Sequence, residues 1–205
     1  MSLIESLRYS LYVIFHPFKG FWDLKHEKKG TVKAGAVLLA LLVFVFILRR
    51  QATGFIFNQN KIEDVNLIAE ILNVLLPFFL WCVANFAITT LMDGKGSFRE
   101  IFMVTAYALV PIILINIPLV AMSHILSLDE QEVYLLLNTI SILWAVFLLF
   151  IGLKSIHDFQ VFKTVITVVI AVVGMVAIAF VALLFISLIQ QLYNFIRLIY
   201  MDLVM

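Results

Sequence analysis

The chain has 205 residues with 14 basic and 13 acidic side chains, so net charge is near zero and nothing points to nucleic acid. Hydrophobic residues make up 64% and charged residues 13%; a soluble domain carries roughly 25% charge, and a water-soluble globule could not bury this much apolar surface. Cys82 is the single cysteine, which excludes an internal disulfide and a cysteine-built zinc or iron–sulfur centre.

In chain order, Ser2–Phe15 reads as an amphipathic helix. Leu3, Leu7, Leu11, Ile14 and Phe18 recur at three- and four-residue steps. His16-Pro17 ends it, because the residue before proline avoids the α region. Two placements are open: flat on a leaflet, or packed on the protein's own loops. Phe18, Phe21 and Trp22, followed by Lys25, Lys28 and Lys29, extend the same anchor.

Five apolar runs follow: Val32–Leu48, Leu67–Leu91, Ile101–Leu126, Val133–Leu153 and Val165–Ile189. Each reaches or exceeds the roughly 17–25 residues that cross a bilayer. Lys33 and Glu70 are the charges within them, and both sit near run ends. The expected fold is all-α: a single membrane domain over residues 1–205, a bundle of five transmembrane helices with an N-terminal amphipathic interfacial helix. Arg49-Arg50 follows the first run where a signal peptide would have a small-residue cleavage site, so that run reads as a retained span.

Basic residues set the expected orientation, since they resist translocation. Arg8, Lys19, Lys25, Lys28, Lys29, Lys33, Lys95, Arg99, Lys154 and Lys163 fall on one side, against Arg49, Arg50, Lys61 and Arg197 on the other. The N-terminus is expected in the cytoplasm and the C-terminus outside, in the cell (plasma or inner) membrane. Arg49-Arg50 runs against the count and is expected to snorkel to the far headgroups.

The second run contains Asn73, Pro77, Trp81 and Asn85, and the third Pro111, Asn116 and Pro118. The asparagines either line a polar pathway or hydrogen-bond between helices. Gly94-Lys95-Gly96 reads as a tight hairpin with glycine supplying positive φ. Ser97 and Glu100 have capping-box spacing. In the fifth run Ala171, Gly174 and Ala177 could admit a close helix.

No catalytic constellation is present. His16, His26, His124 and His157 lack metal-ligand spacing, and neither metal nor cofactor is expected. Glu5, Arg8, His16, Asp93, Lys95, Arg99, His157 and Asp158 together form a candidate cytoplasmic partner face, with Asn73, Asn85 and Asn116 as candidate intramembrane polar contacts.

Four motifs resemble the bacterial branch of the Yip family, five-span membrane proteins named for Rab-interacting relatives in eukaryotes. They are His16-Pro17, Asp93-Gly94-Lys95-Gly96-Ser97-Phe98, Tyr107-Ala108-Leu109-Val110-Pro111, and Gly152-Leu153 leading to His157. One departure is the lysine between the glycines, where relatives often carry consecutive glycines. The resemblance implies a five-helix bundle, a cytoplasmic N-terminus and no enzyme activity. Its eukaryotic members bind Rab proteins and shape membranes. The functional expectation is a scaffold or accessory subunit whose partners are the lipid bilayer and another integral membrane protein or complex. The alternative is a transport component, either a small permease or a helper subunit of an ABC-type transporter.

Overall fold

The computed structural model describes residues 2–54, 57 and 66–204. Two short helices, α1 (Leu3–Phe15) and α2 (Pro17–His26), precede α3 (Val32–Ala52), α4 (Leu67–Leu91), α5 (Phe98–Ala108), α6 (Val110–Met122), α7 (Gln131–His157) and α8 (Val161–Val204). A 3-10 turn at Leu128–Glu130 leads into α7. Five helical stretches are long and apolar enough to cross a membrane, α5 and α6 together forming one of them. The fold is the expected all-α bundle, and no strand occurs among the described residues.

Local chemistry sets the helix ends. Ser2 and Glu5 form a reciprocal capping box on α1, and Ser97 and Glu100 form another on α5. Thr31 caps α3 through Ala34 N–H, and Asn66 caps α4 through Ile68 and Ala69. His16 ends α1, and Pro17 starts α2 at a position whose missing N–H costs nothing. The third span breaks at Leu109, just ahead of Pro111, because proline cannot supply the next helical donor.

The α5–α6 span is the hub, with 67% of its most apolar window buried. Around it pack α3 and α7, and α4 closes on α3 and α5. Val104, Tyr107, Leu148 and Ile156 are fully enclosed. Apolar burial alone does not hold helices together in lipid, so close packing carries the association. Gly152 supplies one such contact: a Cβ there would strike Val104 and would lie 3.2 Å from the Phe21 ring. Gly174 on α8 faces Ala84 and Ile88 of α4 at ordinary contact distance; Ala171 is buried and Ala177 exposed.

The α8 helix is 44 residues long, about 66 Å at 1.5 Å per residue. That is about twice the hydrocarbon thickness. Only its first part touches the bundle, chiefly along α4, and residues 180–201 are exposed.

Two expectations change here. The packed face of α1 is Ser6, Ser10, Val13 and Ile14, while Leu3, Ile4, Leu11 and Phe15 are exposed. The helix sits against α2, α3, α5 and α6 because Gly20 leaves no side chain between α2 and Val13, where a Cβ would lie 3.0 Å from Val13, and because Tyr107 reaches up to it. An apolar stripe counted along the sequence does not say which half of it meets protein. Arg49 also does not snorkel: its Nη1 donates to Asn138 Oδ1 at 2.9 Å and Asn116 Oδ1 at 3.3 Å. Arg50 Nε lies 3.3 Å from Glu70 Oε1. Most of the connection between α3 and α4, including Lys61, lies outside the described residues.

Candidate functional site: the lysine-rich end of the bundle

The motifs around Gly94 and His157, far apart in sequence, meet at one end of the bundle. Gly96 N–H donates to His157 Nδ1 at 3.2 Å. His157 is buried and stacks on Phe159 with ring centres 5.3 Å apart. Accepting at Nδ1 places the neutral ring's proton on Nε2, and Nε2 has no partner among the described residues. A Cβ on Gly94 would lie 2.5 Å from His157 Nδ1, and one on Gly96 2.7 Å from Cε1. The glycines are therefore required by the imidazole. The expectation that glycine supplies positive φ is corrected: Asp93 takes the left-handed turn at φ 56, and no described glycine does.

Beside this ring, Asp158 ends α7 in the left-handed conformation. Its carboxylate accepts from Lys25 at 3.0 Å and Lys95 at 3.3 Å, tying α2, the Gly94–Gly96 loop and the α7–α8 corner together. The hydrogen bond from Lys25, aided by that from Lys95, holds the Asp158 carboxyl below its ordinary pKa.

A second cluster joins α1 to α2. Tyr9 Oη lies 3.1 Å from Gly20 O and 3.2 Å from Asp23 Oδ2. Lys29 Nζ donates to the same buried carboxylate at 2.8 Å. Lys29 holds the Asp23 carboxyl below its usual range, while burial and the Asp23 charge push the Tyr9 hydroxyl up. Tyr107 Oη donates to Ser6 O at 3.0 Å, pinning α1 to the hub.

Between α1 and α2 runs an open groove of about 720 Å³. Glu5, Arg8, Tyr12, His16 and Lys19 are among its lining residues. Tyr9, Tyr12 and His16 stack in series along it, with centroids 5.4 and 4.5 Å apart.

The predicted face thus separates into parts. Glu5, Arg8 and His16 share the groove. Lys95, His157 and Asp158 share the glycine-loop junction. Asp93 and Arg99 are exposed at that loop. Tyr9 and Asp23, which complete these clusters, were missed, and Lys25 and Lys29, expected only as part of a basic membrane anchor, are paired with Asp158 and Asp23.

The three asparagines do not converge. Asn116 is buried and donates to Ile112 O while accepting from Arg49. Asn85 is fully buried, and neither amide atom has a partner among the described residues. Asn73 is exposed and lines an open cavity of about 270 Å³ together with residues of α3 to α7. Trp81 lines that cavity, and its Nε1 has no partner among the described residues.

No curated protein and no solved structure matches the chain. Residues 11–199 match a family model described as Yip1 domain, a stretch that contains the His16-Pro17, Gly94–Gly96, Tyr107–Pro111 and Gly152–His157 motifs and enters all five spans. The chain belongs to the Yip1 domain family.

Proposed function

We propose that the protein is a non-catalytic membrane scaffold or accessory subunit of the family's bacterial branch, docking another integral membrane protein through its lysine-rich end. That end faces the cytoplasm in this reading, with the C-terminus external, in the cell membrane. The basic residues gathered at α1, α2, the Gly94–Gly96 loop and the α7–α8 corner support the orientation. The groove between α1 and α2 carries the reading: a concave surface with a stacked Tyr9–Tyr12–His16 wall and flanking Glu5, Arg8 and Lys19. Aromatic and arginine side chains dominate protein-recognition surfaces.

A photo-crosslinking side chain placed at Arg8, at Lys19 or at lipid-exposed Val172 tests it in cells. The groove positions should give one discrete protein adduct that Tyr12→Ala abolishes, and Val172 should not. Lipid adducts alone at all three positions would refute the docking reading.

One observation favours the transport alternative. The cavity bordered by Asn73, Pro77 and Trp81 holds an indole N–H with no partner among the described residues, within walls that are mostly apolar. Selective loss of uptake of a solute in a well-folded Trp81→Phe variant would support it over the scaffold.

A further inference from the structure

We propose that the cleft between α2 and the α7–α8 corner binds the headgroup of an anionic phospholipid, with Lys154 as the cation that contacts its phosphate. The cleft has a volume of about 380 Å³ and is lined by Phe18 and Trp22 of α2 and by Ile151, Lys154, Ser155, Asp158 and Phe159 of the α7–α8 corner.

Depth is the first argument. Lys154 lies on the last turn of spanning helix α7, where the chain leaves the hydrocarbon. That is the level of lipid phosphates, and Trp and Lys are favoured there.

Charge is the second. Lys25 and Lys95 share the single carboxylate of Asp158, and Lys163 lies over the Phe159 ring at 4.3 Å. Lys154 has no ion pair or hydrogen bond among the described residues, and neither has the Ser155 hydroxyl. Asp158 is thus the one carboxylate in the cleft's lining and is already shared by two lysines, while Lys154 in the same lining is unmatched among the described residues. A monoanionic phosphate diester offsets that excess, and Ser155 Oγ can donate to it.

The third argument is the apolar surroundings. Trp22 and Phe18 are 49% and 64% exposed, beside a half-buried ammonium. Phe147, Trp144 and Ile140 continue from Lys154 and Ile151 at three- and four-residue steps along α7, all three exposed. A free phosphate would leave this track uncovered, whereas acyl chains cover it.

The test uses the full chain purified in a mild detergent. Phosphatidylglycerol, phosphatidylcholine and water-soluble glycerol phosphate are titrated, with retention read by native mass spectrometry and stabilisation by thermal melting. Phosphatidylglycerol should be retained over phosphatidylcholine, and glycerol phosphate should neither bind nor compete. Lys154→Gln should reduce the preference roughly fivefold, the weight of one lysine at an anionic surface. Lys154→Arg should keep it, and Lys28→Gln, which removes an equal charge from the same end, should leave it unchanged. Equal retention of the two lipids, or an equal loss in Lys154→Gln and Lys28→Gln, overturns the site. Glycerol phosphate competing as well as the lipid overturns the lipid as the source. If Lys154→Gln melts differently in phosphatidylcholine alone, Ser155→Ala replaces it, and an unchanged preference there also overturns the proposal.

Discussion

Replacing Gly96 by alanine puts one methyl group against one ring. The added Cβ would lie 2.7 Å from His157 Cε1, 3.0 Å from Nδ1 and 3.1 Å from Nε2, with no backbone among its three nearest atoms. The ring has little room to move, being buried and stacked on Phe159. Overpacking of this kind costs about 1–3 kcal/mol, and disturbing the Gly96 N–H···Nδ1 bond adds about 1 kcal/mol. Against this, Gly96 is not in the positive-φ region, so alanine fits the backbone and constrains the unfolded chain, a gain of about 0.4–1 kcal/mol. The net expectation is a loss of about 1–3 kcal/mol. In a His157→Ala background the clash and the hydrogen bond are both gone, and Gly96→Ala should become neutral or mildly stabilising. The backbone gain is present in both backgrounds and cancels, so the double-mutant cycle should show a coupling of about 2–4 kcal/mol, the clash plus the hydrogen bond. The assay is unfolding of the full chain in mixed micelles by titration with SDS. If Gly96→Ala costs the same in both backgrounds to within about 0.5 kcal/mol, the imidazole is not what requires glycine. Gly94→Ala should be rescued less completely, because its Cβ would also lie 2.9 Å from the Thr89 carbonyl.

Asn116→Leu should lower stability in the same assay by about 1–3 kcal/mol, since Arg49 loses one of its two amide acceptors; Asn85→Leu should be neutral or stabilising, because neither atom of that amide has a partner among the described residues. Tyr107→Phe should cost about 1 kcal/mol and speed hydrogen exchange in α1, where the hydroxyl holds Ser6 O. Deleting residues 2–15 should lower the melting temperature of the bundle, since it strips Ser6, Ser10, Val13 and Ile14 from the hub; unchanged melting would return α1 to the role of a detached leaflet helix. Asp158 titrates lower in the folded chain than its ordinary 3.8, so its contribution is present above that pH and is lost as pH falls through the lower folded value. Melting temperature should therefore hold toward pH 5 and decline below pH 4, and Asp158→Asn should flatten part of that decline.

Some of the lysine-rich end was readable residue by residue. Ser97 and Glu100 announce their capping box because both partners lie within one turn. His16-Pro17 announces the boundary between α1 and α2 because proline acts on its immediate neighbours. His157 against Gly94 and Gly96 was not readable, although all three were singled out by resemblance. The loop looked like a place for glycine's backbone freedom, and only the packed imidazole reveals that the requirement is for space. The pairing of Asp23 with Lys29, itself expected only as part of a basic anchor, was not readable either, because a carboxylate and an ammonium six residues apart read as ordinary surface charge until Tyr9 closes over them.

The five spans were determined by the sequence itself, because crossing a bilayer is a one-dimensional requirement of length and apolar content that each segment meets alone. The break in the third span was likewise determined by Pro111, a local covalent fact. Which face of α1 is buried, which asparagine finds a partner, and where the charge of Arg49 is matched were decided only by tertiary structure. Those outcomes depend on neighbours far away in the chain: Tyr107 for Ser6, Arg49 and Asn138 for Asn116, and Lys25 with Lys95 for Asp158. In lipid every helix face is apolar, so hydropathy cannot rank one face against another. That ranking falls to close packing and to the few polar groups that must find each other.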